Sequence, residues 1–334
     1  MIDTDLKRAI DEILVGHPVA LPTETVYGLA ARIDNTQSIK SIFELKQRPF
    51  FDPLIVHVGS IQQAQSVVSC WPVEAQKLAE VAWPGPLTMV LPKASHINPL
   101  ITSGLDSVAV RWPKHALFQK VLDEVKIPLA APSANKFGRT SPTTAEHVRK
   151  EFKGDSLFVL DGGSCEVGIE STVVKIFPGN GKTQISILRK GNFSESDLKK
   201  ILREFSIEFT QNISSQESPG HMKHHYMPQV PLVIATERKP LSDYAEEIFK
   251  NISRLPDQID QVKMNKLTKI PKNIGELKLS SDAKIAAREF YSELRRISES
   301  GCECIIYLRD SSNTDESWDA LNDRMNKAAS LILT

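Results

Sequence analysis

The chain carries the segment Leu21-Pro-Thr-Glu-Thr-Val-Tyr-Gly-Leu29, followed by Lys46-Gln-Arg-Pro49 and Pro53-Leu-Ile-Val-His57. Prolines in these segments end one short apolar strand, stop a helix after two cations and precede a second apolar strand. Hydroxyl, cationic and imidazole side chains therefore stand where strands and helices meet, and the binding sites of α/β proteins gather at such boundaries. The pattern predicts an α/β domain whose site holds a polyphosphate and a small polar substrate.

Strands and helices alternate along the first 209 residues. Apolar periodicity predicts helices at 3–15, 37–45, 73–81, 115–124, 144–150 and 194–203. It predicts strands at 19–21, 54–58, 87–91, 108–112, 129–131, 157–160, 172–177 and 185–188. Because this alternation is typical of an α/β domain, we expect a twisted mixed sheet with flanking helices.

The pattern stops near residue 210 and starts again near residue 230. Residues 210–229 are polar and contain one glycine and two prolines, which is typical of a linker. Beyond them, the sequence predicts strands at 232–235 and 304–307 and helices at 241–252, 282–297 and 318–331. These elements predict a second, smaller α/β domain.

The overall composition is that of an ordinary globular protein. Its 334 residues suit two domains, 41% of them are hydrophobic and 25% charged, and the formal net charge is zero. Zero net charge excludes a global attraction to nucleic acid or anionic membranes, although a local basic patch stays open. We see no signal peptide, no apolar run of the roughly 18 residues that a membrane span needs, and no pattern among four cysteines. We therefore expect a cytoplasmic protein without membrane contact.

Cations stand at two boundaries of the first domain. Lys46 and Arg48 lie at a helix C-terminus, where positive charge relieves the helix dipole, so helix capping and phosphate binding both stay open. Arg111 ends a strand, and its guanidinium suits either a substrate carboxylate or a surface ion pair. Ser133 and Asn135 follow another strand, where small neighbours let the backbone approach a ligand.

Three familiar patterns are incomplete. Gly179-Asn-Gly-Lys-Thr183 lacks the first glycine of a P-loop and predicts a hairpin turn instead. Gly162-Gly-Ser-Cys-Glu166 ends in glutamate where the nucleophile elbow needs glycine. His221, His224 and His225 lack the partner spacing of a zinc site, so the sequence identifies no metal ligand.

Taken together, the segments resemble the threonylcarbamoyl-AMP synthase family, whose catalytic domain is called YrdC-like. The similarity runs in family order over residues 18–191, with Lys190 standing where the family has proline in Leu-Arg-Pro-Gly. The matching segments are Pro-Thr-Glu-Thr-Val-Tyr-Gly-Leu, Lys-x-Arg-Pro, Pro-Leu-Ile-Val-His, Trp-Pro-Gly-Pro-Leu-Thr, Val-Ala-Val-Arg, Pro-Ser-Ala-Asn, Ser-Pro-Thr-Thr-Ala and Glu-Ser-Thr-Val.

The resemblance implies the long, two-domain form of the family. The segment that ends in His225-Tyr226 resembles the Pro-Gly…His-Tyr-x-Pro segment of the long members, and residues 321–329 resemble the end of their C-terminal domain. We therefore expect a YrdC-like catalytic domain at 1–209 and a linker at 210–229 that closes over the active site. A Rossmann-like α/β domain is expected at 230–334.

The implied activity makes threonylcarbamoyl-AMP and pyrophosphate from L-threonine, bicarbonate and ATP, with Mg²⁺ accompanying the ATP. The downstream tRNA threonylcarbamoyl-transferase machinery would then modify the adenosine beside the anticodon. The residues implied to hold L-threonine are Thr25, His57, Arg111, Ala131 and Ser171. Those implied to hold ATP are Lys46, Arg48, Asp52, Ser107, Ser133, Asn135, Ser141, Arg189 and Tyr226. No dedicated catalytic side chain is implied, since alignment of a labile carbamate with ATP and exclusion of water could supply much of the acceleration.

The sequence departs from the family at the residues that follow the two cations. Phe50 and Phe51 stand where polar residues are common, and Asp52 stands where asparagine is frequent, so Mg²⁺ would have to offset repulsion between this carboxylate and a triphosphate. Two alternative functions stay open. One is an RNA-binding or ribosome-assembly module whose basic face contacts double-stranded RNA or tRNA. The other is a carbamoyl-adenylating enzyme with a different amine substrate.

Overall fold

The protein folds into two units, which the computed structural model describes over residues 2–179, 181–210, 225–252 and 269–333. The first unit ends at Lys136, resumes at Pro142 and includes the described residues up to 210. The second combines Phe137–Ser141 with the described residues from 225 onward. Most of the predicted linker at 210–229 lies outside the described residues, so its closure over a site stays a prediction.

The first unit alternates strands with short helices. Its described helices are α1 (Ile2–Val15), α2 (Thr36–Lys46), α3 (Ile61–Val67), α4 (Val73–Ala82), α5 (Pro99–Thr102), α6 (Ala116–Val125), α7 (Ala145–Glu151) and α8 (Glu195–Ile201). Its described strands are β1 (Val19–Leu21), β2 (Gly28–Arg32), β3 (Ile55–His57), β4 (Leu87–Pro92), β5 (Ser107–Arg111), β6 (Leu129–Ala130), β7 (Phe158–Val159), β8 (Thr172–Pro178), β9 (Thr183–Arg189) and β10 (Ile207–Phe209).

These strands form one sheet in the order β10-β9-β8-β4-β5-β3-β6-β2-β1-β7. The pairs β1/β7, β3/β5, β4/β8 and β9/β10 are parallel, and the other neighbours are antiparallel. The predicted mixed sheet with flanking helices is therefore confirmed. The predicted hairpin after β8 is also confirmed, since β8 and β9 pair in antiparallel register.

The two faces of this sheet are covered differently, because successive side chains of a strand point to opposite faces. On one face, residues of α2, α3, α4, α5, α7 and α8 join the core that contains Val56 of β3 and Val110 of β5. On the other face, α1 and α6 cover β1, β2 and β6. The rest of that face carries a small cluster of strand residues, which are Ile55, Val90, Ala109 and Val173.

The register of the central strands is strongly specified by this burial. Each fully buried Val, Leu or Ile contributes about 1.5–3 kcal/mol, and a shift by one residue exchanges the two faces of a strand. Such a shift of β3 would move His57 into the core and Val56 out of it. The apolar residues of β3 and β5 therefore determine where their polar neighbours lie.

The second unit contains a four-stranded sheet in the order β12-β13-β11-β14, in which every described pair is parallel. Tyr244 and Ile248 pack beside Val233 and Ala235 in its core. A parallel sheet with helical connections confirms the expected smaller Rossmann-like α/β fold. The described strands are β11 (Leu232–Ala235), β12 (Ile274–Leu277), β13 (Cys304–Leu308) and β14 (Leu331–Leu333), and the described helices are α9 (Leu241–Ile252), α10 (Ala283–Ser298) and α11 (Asp319–Ala328).

The structure corrects the sequence prediction at several short elements. The predicted helix at 318–331 is wrong at its end, because α11 stops at Ala328 and Leu331 pairs beside Val233 of β11. The apolar residues after Ala328 continue the helical periodicity, but the strand position gives their backbone a hydrogen-bonded partner. The sequence analysis also missed β2, β10, β12, α3 and α5. None of the described helices is long and apolar enough to cross a membrane.

A glycine brings the end of β9 close to the start of β8. A Cβ atom at Gly191 would lie 2.2 Å from the backbone nitrogen of Thr172. Only a shift of the backbone could remove this clash. We therefore predict that Gly191→Ala lowers the free energy of unfolding by about 1–3 kcal/mol, as overpacking usually does. Urea unfolding would measure the change. Lys190→Ala is the neighbouring control and should stay within about 0.5 kcal/mol of the wild type, because Lys190 is exposed.

Candidate active site

Polar residues lie on the part of the first sheet that carries the small apolar cluster. Ser107, Ala109 and Arg111 alternate along β5 and therefore share one face. His57 of β3 lies directly beside Arg111 in the parallel register of the two strands. Two of the residues expected to hold L-threonine are thus neighbours on one face of the sheet.

His57 is held as a neutral imidazole. It is 2% exposed and its ring stacks on Phe118, with the ring centroids 5.3 Å apart. Burial, and then the positive charge of Arg111, lower the pKa of His57 from 6.5 to about 3. Nδ1 lies 3.2 Å from the carbonyl oxygen of Ile55, which can only accept, so Nδ1 carries the proton and Nε2 is left as an acceptor. The same carbonyl accepts the backbone N–H of Ala131 at 3.0 Å.

Arg111 is buried beside a carboxylate that the sequence analysis did not select. Its Nη2 lies 2.9 Å from Oε1 of Glu24, and both side chains are about 5% exposed. Neither atom has hydrogen-bond geometry to a partner in the described residues, so the contact is a charge pair without a hydrogen bond. Nε of Arg111 donates to the carbonyl oxygen of Gly85 at 3.3 Å. The ion pair that the sequence left open for Arg111 exists, and it is buried.

Ser171 connects two groups of predicted residues. Its hydroxyl lies 2.7 Å from the hydroxyl of Thr88 and accepts Nη2 of Arg189 at 3.0 Å. Nε of Arg189 donates to the backbone carbonyl of the same serine, also at 3.0 Å. One serine that was expected to hold L-threonine is therefore bonded twice to an arginine that was expected to hold ATP.

An irregularity in the sheet directs Arg189 to this position. Val173 of β8 pairs with Arg189, whereas the next residue, Val174, pairs with Ile187, so β9 contains one extra residue at Leu188. Such a bulge re-aims the side chains that follow it and occurs often beside functional sites. Sequence periodicity cannot show a single inserted residue, which is why the analysis placed Arg189 only through the family resemblance.

Lys46 fixes the loop that follows β6. Its Nζ donates to the backbone carbonyls of Ser133 and Asn135, both at 2.5 Å, and the residue is 1% exposed. Burial, and then the nearby charge of Arg48, hold the pKa of Lys46 well below its usual value. An anion placed near Lys46 would favour the charged form again. Three predicted ATP residues are therefore in direct contact around one ammonium group.

Arg48 and Asp52 form the second buried charge pair. Gln47 ends α2 in the left-handed conformation with φ 51°, and the N–H of Arg48 bonds the carbonyl of Phe43 at 2.9 Å. This turn directs Arg48 inward, where Nη2 donates to Pro53 O at 2.7 Å and lies 2.9 Å from Oδ2 of Asp52. Neither carboxylate oxygen of Asp52 has hydrogen-bond geometry to a partner in the described residues.

Thr25 lies in a turn that its neighbour organises. The hydroxyl of Thr23 donates to the carbonyl of Val26 at 2.6 Å and accepts the N–H groups of Thr25 and Val26 at 3.1 Å. It also lies 2.9 Å from the hydroxyl of Thr25. Both threonines are buried, so the polar turn between β1 and β2 is held by its own side chains.

Ser107 lies apart from the pair of His57 and Arg111. As the first residue of β5 it is about 13 Å from Arg111, given the rise of an extended strand. It lines a groove of about 420 Å³ together with Lys175 and Phe177 of β8. Because β3 and β5 are parallel, Ser107 lies at the end of the sheet where the chain from Asp52 enters β3.

Two predicted ATP residues, Ser141 and Tyr226, belong to the second unit. Tyr226 has φ 66° and is 1% exposed. Its ring lies 5.8 Å from the ring of Tyr291 and 5.5 Å from the guanidinium carbon of Arg324. The hydroxyl of Thr140 donates to its backbone carbonyl at 3.2 Å. His221 and His224 fall outside the described residues.

The sequence analysis missed three polar residues of this region, Thr23, Glu24 and Thr88. All three lie inside the segments that it quoted, and all are buried in the structure. Thr25, which follows Glu24, was selected because the resemblance named it. The signal that could have found Glu24 is a charged residue in a segment that must otherwise be buried, since buried charges need partners.

Charged side chains of this region are almost all buried, with cations in slight excess. The four cations are Lys46, Arg48, Arg111 and Arg189, and each is at most 6% exposed. Three carboxylates of this region are also buried. Glu24 and Asp52 contact Arg111 and Arg48, and Glu170 precedes Ser171 in the sequence. Guanidinium and amino groups gathered in this way suit an anionic ligand.

Comparison with protein families shows to which class of protein the chain belongs. Residues 11–191 match a family model described as telomere recombination and named Sua5/YciO/YrdC, which covers more than half of the chain. Residues 193–330 match a model described as the C-terminal domain of threonylcarbamoyl-AMP synthase. The fold and the two matched domains define an enzyme with a YrdC-like domain followed by a second domain.

Similar proteins agree with the two domain matches. The threonylcarbamoyl-AMP synthase of Pyrococcus abyssi is 38% identical over 232 residues, which are 69% of this chain and 67% of that protein. That of Bacillus subtilis is 37% identical over 237 residues, covering 70% and 67%. A crystal structure of P. abyssi Sua5 complexed with L-threonine is 30% identical, has a TM-score of 0.79 and matches 98% of this chain and 96% of that one. The chain belongs to the threonylcarbamoyl-AMP synthase family, in its two-domain form.

The buried imidazole predicts a pH dependence of stability. The folded pKa of His57, about 3, lies below the usual 6.5, so between these values the unfolded chain binds a proton that the folded protein does not. Stability from this residue is present above pH 6.5 and is lost as the pH falls toward 3. Between pH 7.5 and 4.5 the loss should be about 2–3 kcal/mol. His57→Asn should remove this part of the acid sensitivity.

Urea unfolding at both pH values, for the wild type and His57→Asn, would measure the difference. Asparagine keeps an N–H that can donate to the Ile55 carbonyl, so the comparison isolates the proton. His96→Asn, which removes an exposed imidazole, is the control for the substitution itself. An equal acid sensitivity in the wild type and His57→Asn would contradict the buried neutral state.

Proposed function

We propose that this protein is an L-threonylcarbamoyladenylate synthase, which makes threonylcarbamoyl-AMP and pyrophosphate from L-threonine, bicarbonate and ATP. The observation that carries the proposal is the double hydrogen bond between Arg189 and Ser171. It joins a pocket suited to a small amino acid to a group of cations suited to phosphates. Relatives named threonylcarbamoyl-AMP synthase at 37–38% identity support the same activity.

The amino-acid side of the site offers three kinds of contact. Arg111 can hold a carboxylate, since its Nη2 has no hydrogen bond in the described residues. The Nε2 acceptor of His57 and the hydroxyl of Thr25 can bind a hydroxyl group. The small Ala131 leaves room for the substrate, and Gly28 lies against it, since a Cβ there would be 3.3 Å from that of Ala131. L-threonine carries the matching carboxylate and hydroxyl, and the P. abyssi structure contains L-threonine.

The nucleotide side would use the cations around α2 and β9. Lys46, Arg48 and Arg189 can stabilise negative charge on the phosphates and on the leaving pyrophosphate. Ser133, Asn135 and Ser107 would contact the nucleotide from the sheet. Ser141 and Tyr226 of the second unit are proposed ATP contacts on the family resemblance alone.

Mg²⁺ fits this site through Asp52. Both oxygens of this buried carboxylate lack hydrogen bonds in the described residues, and such oxygens are the ligands that Mg²⁺ prefers. The described residues contain no cluster of three or more His, Cys, Asp or Glu that would form a metal cage. The cation would then be held by one carboxylate and the substrate's phosphates, as is usual for Mg²⁺. Bound there, Mg²⁺ would neutralise phosphate charge and offset the repulsion between Asp52 and ATP.

The reaction would need positioning more than a dedicated acid or base. L-threonine must take up carbon dioxide on its neutral amine, and the resulting carbamate must reach the α-phosphate of ATP. Holding the two in contact in a site without water supplies much of the rate, because the carbamate is labile in water. The product would serve the tRNA threonylcarbamoyl-transferase machinery that modifies the adenosine next to the anticodon.

Pyrophosphate release from ATP, with bicarbonate and Mg²⁺, tests the proposed reaction. Release should depend on L-threonine and should fall at least about tenfold with L-valine, which lacks the hydroxyl that the pocket binds, and with L-serine, which lacks the methyl group and fills the pocket less well. Release that depends equally on another amine would support the carbamoyl-adenylating alternative. No release with any amino acid would overturn the proposal, and salt-dependent binding of tRNA would then be measured for the RNA-binding alternative.

A second experiment tests the role of Asp52. Asp52→Asn keeps the shape of the side chain but removes the charge, so in folded protein, checked by thermal unfolding, the Mg²⁺ concentration for half-maximal pyrophosphate release should rise about tenfold. Asp123→Asn, which changes an exposed carboxylate of α6, is the control and should leave the Mg²⁺ dependence unchanged. An unchanged Mg²⁺ dependence in Asp52→Asn would mean that Asp52 only pairs with Arg48.

A further inference from the structure

Two buried charged atoms of the first unit face each other without a hydrogen bond. Oε1 of Glu24 and Nη2 of Arg111 are 2.9 Å apart, and neither has a hydrogen-bond partner in the described residues. Buried polar atoms nearly always find partners, and leaving one unsatisfied costs about 1–3 kcal/mol, or more when it is charged. The ion pair matches the two charges but leaves the hydrogen-bonding capacity of both atoms unused, and a ligand that supplies an N–H and an oxygen acceptor would use it.

Other bonds hold the two side chains in place, so neither needs the other for its position. Oε2 of Glu24 accepts a hydrogen bond from the backbone N–H of Lys114 at 3.1 Å. The backbone carbonyl of Glu24 accepts one from the N–H of Val167 at 2.8 Å. Nε of Arg111 donates to the carbonyl of Gly85. The two unsatisfied atoms are therefore preorganised, and binding a ligand would require little rearrangement.

The spacing of the two atoms matches an α-amino acid. Standard bond lengths place the nitrogen of such a molecule about 2.7 Å from the nearer oxygen of its carboxylate. A nitrogen donor and an oxygen acceptor at that separation are complementary to an oxygen acceptor and a nitrogen donor 2.9 Å apart. In the bound zwitterion both contacts would be hydrogen bonds between charged groups, which are roughly twice as strong as neutral ones. After the amine loses the proton that its reaction with carbon dioxide requires, it still carries an N–H that can donate to Glu24.

We propose that Glu24 binds the α-amino group of the amino-acid substrate while Arg111 binds its α-carboxylate. This inference rests on the proposed function and names a residue that the proposed set of contacts leaves out. It assigns the selection of amino acids over hydroxy acids to Glu24, because a molecule with a carboxylate but no amine would leave this buried carboxylate unsatisfied and repelled.

The surroundings of Glu24 keep the pocket close to neutral. Two titratable groups of the described residues interact with this pair, His57 with Arg111 and Cys165 with both side chains. Burial lowers the pKa of His57 to about 3, and burial followed by the charge of Glu24 raises the pKa of Cys165 to about 12. The pair itself joins one carboxylate to one guanidinium. Such a pocket suits a zwitterion better than a simple anion.

The alternative is that Glu24 only orients Arg111. Both interpretations predict weaker binding of L-threonine when Glu24 is changed, so loss of activity alone does not separate them. They differ in which group of the ligand loses its contact. Three ligands separate them: L-threonine, (R)-3-hydroxybutyrate, which lacks only the amine, and L-threoninol, which keeps the amine and lacks the carboxylate.

The test is calorimetric binding of the three ligands to the full chain, for the wild type, Glu24→Gln and Glu74→Gln. Glutamine keeps an oxygen for the Lys114 N–H but removes the charge. Glu74 is a buried carboxylate that accepts the hydroxyl of Thr183 at 2.7 Å, so Glu74→Gln controls for the loss of a buried charge elsewhere. Thermal unfolding checks that each variant is folded.

We expect Glu24→Gln to weaken the binding of L-threonine and of L-threoninol about 10- to 100-fold. The affinity for (R)-3-hydroxybutyrate should change less than about threefold. Glu74→Gln should leave all three unchanged. If Glu24→Gln lost affinity equally for L-threonine and (R)-3-hydroxybutyrate and bound L-threoninol as the wild type does, the inference would be overturned. The proposed function would still stand. Wild-type protein that binds no L-threonine would overturn the proposed function as well.

If Glu24→Gln does not fold, Glu24→Asp allows two further tests. Glu24→Asp keeps the charge, so it should still prefer L-threonine to (R)-3-hydroxybutyrate, and loss of that preference would contradict the proposal. In pyrophosphate release, Glu24→Asp should raise the KM for L-threonine about tenfold and leave the KM for ATP unchanged. An equal rise in both KM values would contradict direct contact with the amine.

Discussion

The two-residue alternation of the central strands is the constraint on which the site depends. Val56 and Val110 belong to the core under the helices, and this burial forces His57 and Arg111 to the opposite face. The polar residues thus need no independent force to bring them together. The same apolar contacts that stabilise the domain determine the face and the register of the site.

Burying charged side chains is costly, and backbone carbonyls offset much of that cost here. Lys46 donates to two carbonyls and Arg48 to two, at Asp52 and Pro53, so each cation is held by the loop that it organises. These bonds use donors without neutralising the charge. Carbonyl oxygens carry no net charge, so these bonds do not cancel the attraction of the cations for an anion, although the ion pair with Asp52 reduces that of Arg48. Stability and binding capacity come from the same side chains.

The sequence predicted most strands and helices of both units, because each long element has a clear apolar period. It could not predict β2 or β14, because short strands depend on partners that are distant in sequence, such as β6 for β2 and β11 for β14. The site residues were predicted from the family resemblance. Glu24 and Thr88 lie within the matching segments but were not predicted as site residues. Their roles follow from contacts to Arg111 and Ser171, which only the fold brings near.

The two buried carboxylates divide the site by charge. The carboxylate of Asp52 and that of Glu24 each lie 2.9 Å from an arginine, yet neither carboxylate accepts a hydrogen bond from that guanidinium. An arginine without such a neighbour would attract any anion of suitable size. With the neighbour present, a simple anion meets repulsion as well as attraction, and only a ligand that also brings positive charge satisfies both groups. Under the proposed function, the positive charge beside Asp52 would be a metal ion that accompanies phosphate, and the one beside Glu24 would be an amine. The same arrangement of a buried carboxylate beside an arginine would then favour a metal-bound nucleotide at one position and an amino acid at the other.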